Sequence, residues 1–202
     1  MTHSEAGYVE LIEAARHPDH VVTLAFAGLI ALARQRPSPY DVPIAALDDV
    51  ALAAIRERYF PDLQCPLKAY AGASPPPAID EFEDLLALLL EHRSFADQES
   101  TWLAHAVATA CMGANHLWQD MGLPNRGALS WLIKHHFSSL AERNSGDMKW
   151  KKFFYRQLCE REGLLLCKSP SCGSCSDYLQ CFGPEDATGF FHGKVDRIWL
   201  SQ

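Results

Sequence analysis

The sequence predicts an all-α fold: a helical domain with an irregular C-terminal cysteine-rich metal-cluster loop. Three observations predict it. Apolar side chains recur at helical spacing, as in the stripe Leu129, Leu132, Ile133, His136, Phe137 and Leu140. Cap and stop residues punctuate these stretches, and no run alternates convincingly with a period of two. Four cysteines then crowd into the 15 residues from Cys167 to Cys181.

Taken in order, residues 8–15 and 21–34 are rich in Ala, Leu and Val and read as helices. The second is apolar nearly all round, which predicts a buried helix. Asp48 is placed to cap a helix running to about Tyr59, and Pro61 closes it. Residues 65–77 hold Gly72 and the run Ser74-Pro-Pro-Pro77, a stiff linker. It divides an N-terminal helical lobe (residues 1–70) from the region 78–202, the two reading as one compact domain. Asp80 with Glu83 resembles a capping box before the leucine run at 85–90. Asp97 or Ser100 can start a helix through Trp102 to about Met112, with Gly113 near its end. After a turn at Gly122-Leu-Pro124, one helix is expected over 126–141, broken by Asn144-Ser-Gly146. Asp147 is expected to cap the next helix, over 148–162, with Gly163 ending it. In the tail, residues 195–200 suit either a short strand or a helix.

A chain of 202 residues with 48% hydrophobic and 21% charged residues is ordinary for a globular domain. Four acidic residues in the first twenty (Glu5, Glu10, Glu13, Asp19) suit neither a secretory nor a transit peptide. The longest apolar stretch, residues 21–33, is too short to span a bilayer. A cytoplasmic protein with no membrane partner is the expectation. The net charge of −7 argues against a nucleic-acid partner. That charge is uneven. Residues 1–125 carry 7 basic and 17 acidic side chains, whereas residues 126–161 carry 8 and 3. This basic island lies just before the cysteine loop and reads either as a site for an anion or acidic partner, or as a solvated helix face. Phosphate-binding glycine loops, H-E-x-x-H and G-x-S-x-G are all absent. Nothing in the sequence supports an enzyme driven by nucleotide or hydrolytic chemistry.

The cysteines carry the chemistry. Cys167, Cys172, Cys175 and Cys181 are spaced C-x4-C-x2-C-x5-C. Thiolates this crowded repel one another unless a cation or cluster neutralises them, and soft sulfur selects zinc, Cu(I) or iron–sulfur clusters. Cys172-Gly-Ser-Cys175 is a chelating pair, with Gly173 permitting a tight turn and Pro170 stiffening the span before it. Structural zinc sites usually pair two separated knuckles, so four ligands from one loop favour an iron–sulfur cluster while leaving zinc open. A total of seven cysteines is odd, which favours metal over disulfides. Cys65 and Cys111 read as small buried hydrophobes. Cys159 falls on the same helix face as Lys152 and Arg156 and lies eight residues before Cys167, so it can either face the cluster or sit at the surface behind its ligands. His116 and Asp120 are four apart and can share a helix face. His136 reads as a hydrogen-bonded core residue, and His105 and His116 lie too far apart along a helix to share one ion.

The segments Cys111-Met-Gly113, His116-Leu-Trp-Gln-Asp-Met-Gly-Leu123, Asn144, Asp147-Met-Lys-Trp-Lys-Lys-Phe-Phe-Tyr155, Leu158-Cys-Glu160 and Cys181-Phe-Gly-Pro184 together resemble the NifQ family of nitrogen-fixation proteins. The resemblance covers about residues 105–185, with a looser match at Arg58-Tyr-Phe-Pro61. Met121 stands where the family often has Leu. The resemblance implies a molybdenum–iron–sulfur (Mo-Fe-S) cluster held by Cys167, Cys172, Cys175 and Cys181. It implies a carrier supplying molybdenum for the iron–molybdenum cofactor, with the cofactor-assembly scaffold and the nitrogenase iron protein as partners. Molybdate, the metal source, is a dianion, so Lys149, Lys151, Lys152 and Arg156 are candidates for drawing it in. No family role falls on His116 or Cys159. Apart from the resemblance, an electron carrier with a [4Fe–4S] cluster and an adaptor with structural zinc remain open.

Overall fold

In a computed structural model, the described residues are 2–68, 80–163, 172, 175–185 and 188–191. They form α-helices and turns, with no strand among them. The helices are α1 (His3–Glu13), α2 (Val21–Ala31), α3 (Asp49–Tyr59), α4 (Asp80–Glu91), α5 (Gln98–Cys111), α6 (Leu117–Asp120), α7 (Arg126–His136), α8 (Ser138–Arg143), α9 (Trp150–Arg161) and α10 (Tyr178–Phe182). A 3-10 turn at Ala33–Gln35 follows α2. The expected all-α class is thus what the described residues adopt.

The two most apolar helices lie at the centre. All residues of α2 from Val21 to Leu29 are buried, and α5 buries most of its length from Ser100 to Cys111. α2 packs against α1, α5 and α7, α5 also against α4 and α6, and α9 against α4. One continuous hydrophobic core results, from Tyr8 in α1 to Phe154 in α9. Arg36 is buried within it, and its guanidinium donates to the carbonyls of Leu29 (3.0 Å), Tyr40 (2.9 Å) and Val42 (2.6 Å). It thereby satisfies a carbonyl left open at the end of α2. Gly28 of α2 meets the turn at Gly122, which has φ +65°; a Cβ on Gly28 would lie 2.6 Å from the Gly122 Cα. Only glycines allow that approach.

Caps set several boundaries. Asp48 and Asp97 accept hydrogen bonds from Ala51 N and Ser100 N, each at 2.8 Å, where capping was expected. α1 starts earlier than the expected residue 8, because Thr2 and Glu5 form a reciprocal capping box. The segment 21–34 divides into α2 and the 3-10 turn. The helix expected over 126–141 breaks at Phe137 (φ −141°, ψ 50°). The loop before α5 competes for its backbone: Ser94 N donates to His136 O (2.8 Å), and Ser138 N donates to Ser94 Oγ (3.0 Å). Asp147 does not cap α9. It adopts φ +55° and forms an ion pair with Arg126 at 2.7 Å, and α9 begins later, at Trp150. Gly163, at φ +66°, follows the end of α9 as expected. The proline run and the 195–200 segment lie outside the described residues, as does the residue before α4.

Candidate functional site

α9 sorts its side chains by face. Trp150, Phe153 and Phe154 point inward and are buried, and the Trp150 indole donates to Ser130 Oγ at 3.1 Å. Its opposite face carries Lys152, Arg156 and Glu160 outward, with Cys159 half-buried beside them. Cys159 therefore sits on the expected face.

The cysteine loop meets α9 at two points. Arg156 Nη1 lies 3.8 Å from Cys172 Sγ, while Arg156 Nε donates to Glu160 Oε1 at 2.7 Å. The carboxylate, and secondarily the thiol, hold the Arg156 pKa above its ordinary value. At the start of α9, Lys149 N donates to Cys181 O at 2.8 Å, and Lys149 Nζ reaches Leu179 O at 3.4 Å. Cys175 N donates to Cys172 O at 3.2 Å, and Tyr178 N donates to Cys175 O at 3.2 Å. α10 carries Cys181 in its last turn, where Tyr178 stacks on Phe182 at 4.7 Å. Gly183 ends it: its N donates to Leu179 O at 2.9 Å, and a Cβ there would collide with that same carbonyl.

Beyond Gly183 the chain is tied down again. The Glu185 carboxylate is buried, 3.5 Å from His116 Nδ1 and 3.9 Å from Arg126 Nε. His116 is the N-cap residue of α6, and Arg126 begins α7. His116 and Asp120 thus serve different partners, because Asp120 turns inward to Lys151. Lys151 Nζ donates to Asp120 Oδ2 at 2.6 Å and to Gly113 O at 2.8 Å. Asp120 also accepts from Asn115 N and Nδ2, at 3.0 and 2.9 Å. The positive charge of Lys151 is therefore matched within the body of the protein.

Cys172, Cys175 and Cys181 are half-buried free thiols, and Cys167 lies outside the described residues. Among the described residues, no three His, Cys, Asp or Glu side chains stand close enough together to hold one metal ion. The three thiols are partly accessible, and sulfur donors suit a soft metal or cluster. Cys111 is different in kind. Burial pushes its thiol up to about 12, so it stays neutral in the core, as expected of a small hydrophobe. Cys65 is exposed rather than buried.

Below α10 lies a cleft of about 520 Å³ between the α8–α9 turn and α9, lined by Arg143, Asn144, Gln157, Glu160, Arg156 and Phe182 among others. The Asn144 side chain holds that turn by bonding Met148 N and Met148 O, both at 2.9 Å. Arg143, Gln157 and Glu185 were not singled out in the sequence. The Arg143–Gln157 contact and the pairing of Glu185 with His116 and Arg126 join residues distant in the chain, and no spacing signals them.

No helix among the described residues is long and apolar enough to cross a membrane. Among known proteins, the NifQ family model matches residues 25–183. The NifQ protein of Azotobacter vinelandii is 52% identical over 106 residues, covering 52% of this chain and 54% of that protein. The NifQ protein of Rhodobacter capsulatus is 40% identical over 139 residues, covering 69% and 76%. The NifQ homologue of Sinorhizobium fredii (strain NBRC 101917 / NGR234) is 44% identical over 99 residues, covering 49% and 43%. The chain thus spans about half the length of the first and third of these relatives. No solved structure matches. With the family model spanning most of the sequence, residues 25–183, the chain belongs to the NifQ family of nitrogen-fixation proteins.

Proposed function

We propose that this chain is a molybdenum carrier that takes up a Mo-Fe-S cluster on the cysteine loop and supplies molybdenum for the iron–molybdenum cofactor of nitrogenase. The observation that supports it is the joining of the loop to α9: a guanidinium beside Cys172, and a backbone bond from Lys149 to Cys181. A cluster bearing several thiolates is anionic overall, and a neighbouring cation stabilises it. In this reading Cys167, Cys172, Cys175 and Cys181 are the ligands. A cuboidal cluster with three irons takes three of these thiolates, one per iron, and the fourth is left for the molybdenum vertex, whose remaining ligand is exchangeable, as a donor requires. Lys149, Lys152 and Arg156 supply positive charge beside the loop, and Lys151 acts through Asp120 on the fold. The cofactor-assembly scaffold and the nitrogenase iron protein are the partners this role calls for, and a cytoplasmic location would suit it.

The test is elemental. Protein isolated without oxygen from molybdate-fed cells should contain iron, acid-labile sulfide and molybdenum together. Cys172→Ala and Cys175→Ala should lose all three. Full iron and molybdenum in those variants would sink the ligand assignment, iron and sulfide alone would indicate an electron carrier, and zinc alone a structural site.

A further inference from the structure

We propose that the cleft between the α8–α9 turn and α9 is a docking site for a tetrahedral oxyanion dianion, held by Arg143 and Arg156 before it reaches the thiols. The proposal rests on the molybdenum reading above, and its cargo there is molybdate.

A polar chain crosses the cleft from one side to the other. Arg143 Nη1 contacts Gln157 Oε1 at 3.4 Å, and Gln157 Nε2 donates to Glu160 Oε2 at 2.7 Å. Glu160 Oε1 accepts from Arg156 Nε at 2.7 Å, and Arg156 Nη1 reaches Cys172 Sγ at 3.8 Å. Two guanidiniums and one carboxylate therefore line the cleft, which keeps a net positive charge, and only Arg156 pairs directly with Glu160. Among the described residues, the Arg143 guanidinium makes a long contact to a neutral amide, a partner much weaker than a charged oxygen. Guanidinium forks match tetrahedral oxyanions by paired N–H donation. A volume of about 520 Å³ admits such an ion with part of its water shell. Arg156 is the hinge of the arrangement, because the same side chain touches the cleft carboxylate and the loop sulfur. An ion bound between the two guanidiniums sits beside the first thiol it would meet. Oxygen atoms are thus held by nitrogen donors, and sulfur is left free for the metal.

Glu160 gives the proposal a sign that a merely structural cleft would not share. It competes with an incoming dianion for Arg156, so neutralising it should tighten binding. Equilibrium dialysis of sodium molybdate against the full chain, prepared free of iron, reads the cleft directly. Arg143→Gln should weaken binding about tenfold, the order expected for one lost charge-assisted contact. Glu160→Gln should strengthen it by a similar factor. Excess sulfate, which has the same shape and charge but no affinity for thiols, should displace molybdate. Binding unchanged in Arg143→Gln, or not strengthened in Glu160→Gln, would overturn the proposal. So would molybdate that excess sulfate fails to displace, since sulfur would then be holding the metal. Should Arg143→Gln fold poorly, the gain in Glu160→Gln still decides. Failure here with molybdenum present in the isolated protein would remove only the docking site. Isolated protein without molybdenum would remove the carrier role and leave this titration to stand by itself.

Discussion

Lys151→Met should destabilise the protein without acting on anion capture. The Lys151 side chain is 17% exposed and its partner Asp120 only 7%, with 2.6 Å between nitrogen and oxygen. Removing one member of a buried ion pair costs about 3–5 kcal/mol when the other charge is left uncompensated. Here Asp120 keeps two hydrogen bonds from Asn115, each worth about 1.5 kcal/mol or more to a charged acceptor. Partial access to water lowers the penalty further, so a loss of roughly 2–3 kcal/mol is expected. Methionine fills most of the volume of the lysine stem, which keeps the cavity contribution small. Urea unfolding measures the difference. Lys152→Met, one residue away but solvent-exposed, should change stability by less than about 0.5 kcal/mol. The double variant Lys151→Met with Asp120→Asn should recover part of the loss, because no buried charge is then stranded. A Lys151→Met protein within about 0.5 kcal/mol of wild type would refute the reasoning. It would return Lys151 to the group of cations facing the loop.

Gly122→Ala should cost about 2–4 kcal/mol, combining a left-handed backbone with a collision against Gly28 and Phe191; a thermal melt that does not move would mean the α2 contact yields easily. His136 sets a pH dependence. Burial lowers its pKa to about 4, against 6.5 in an unfolded chain. Between those values the unfolded state binds a proton that the folded state refuses, so unfolding is favoured. The contribution is complete above pH 6.5 and is lost as pH falls toward 4. His136→Gln should flatten the fall in stability across that window, and an unchanged slope would assign it to other groups.

Much of this fold could be read from the sequence because its signals were local. The uninterrupted apolar character of α2 announced a central helix, and Asp48 and Asp97 announced caps three residues from the amides they bind. Readings failed where a distant segment competed for the backbone. Nothing near Phe137 in sequence says that Ser94 will take the His136 carbonyl. Asp147 has the right chemistry for a cap, but Arg126, 21 residues earlier, takes its carboxylate first. The thin expectation for the N-terminus had another cause, since Thr2 and Glu5 form a local signal that was passed over.

The candidate site divides in the same way. The cysteine spacing and the basic island are local patterns, and both were visible in the sequence. What each cation of that island does was not, because it depends on which acid the fold brings near it. Lys151 and Arg156 lie five residues apart on α9, yet one meets Asp120 inside the protein while the other is shared between Glu160 and a thiol. The segment from Lys149 to Glu160 therefore does two jobs at once. Its aromatic residues and Lys151 fasten the helix to the core, and this rigid seating holds Arg156 against Cys172. Positive charge beside the cysteine loop acts on it most strongly when it is held in place, since a free surface lysine is easily screened by salt. A basic run in such a helix is then best judged residue by residue. The cations that lower stability when removed build the platform, and those that lower metal loading while the fold stays intact serve the cargo.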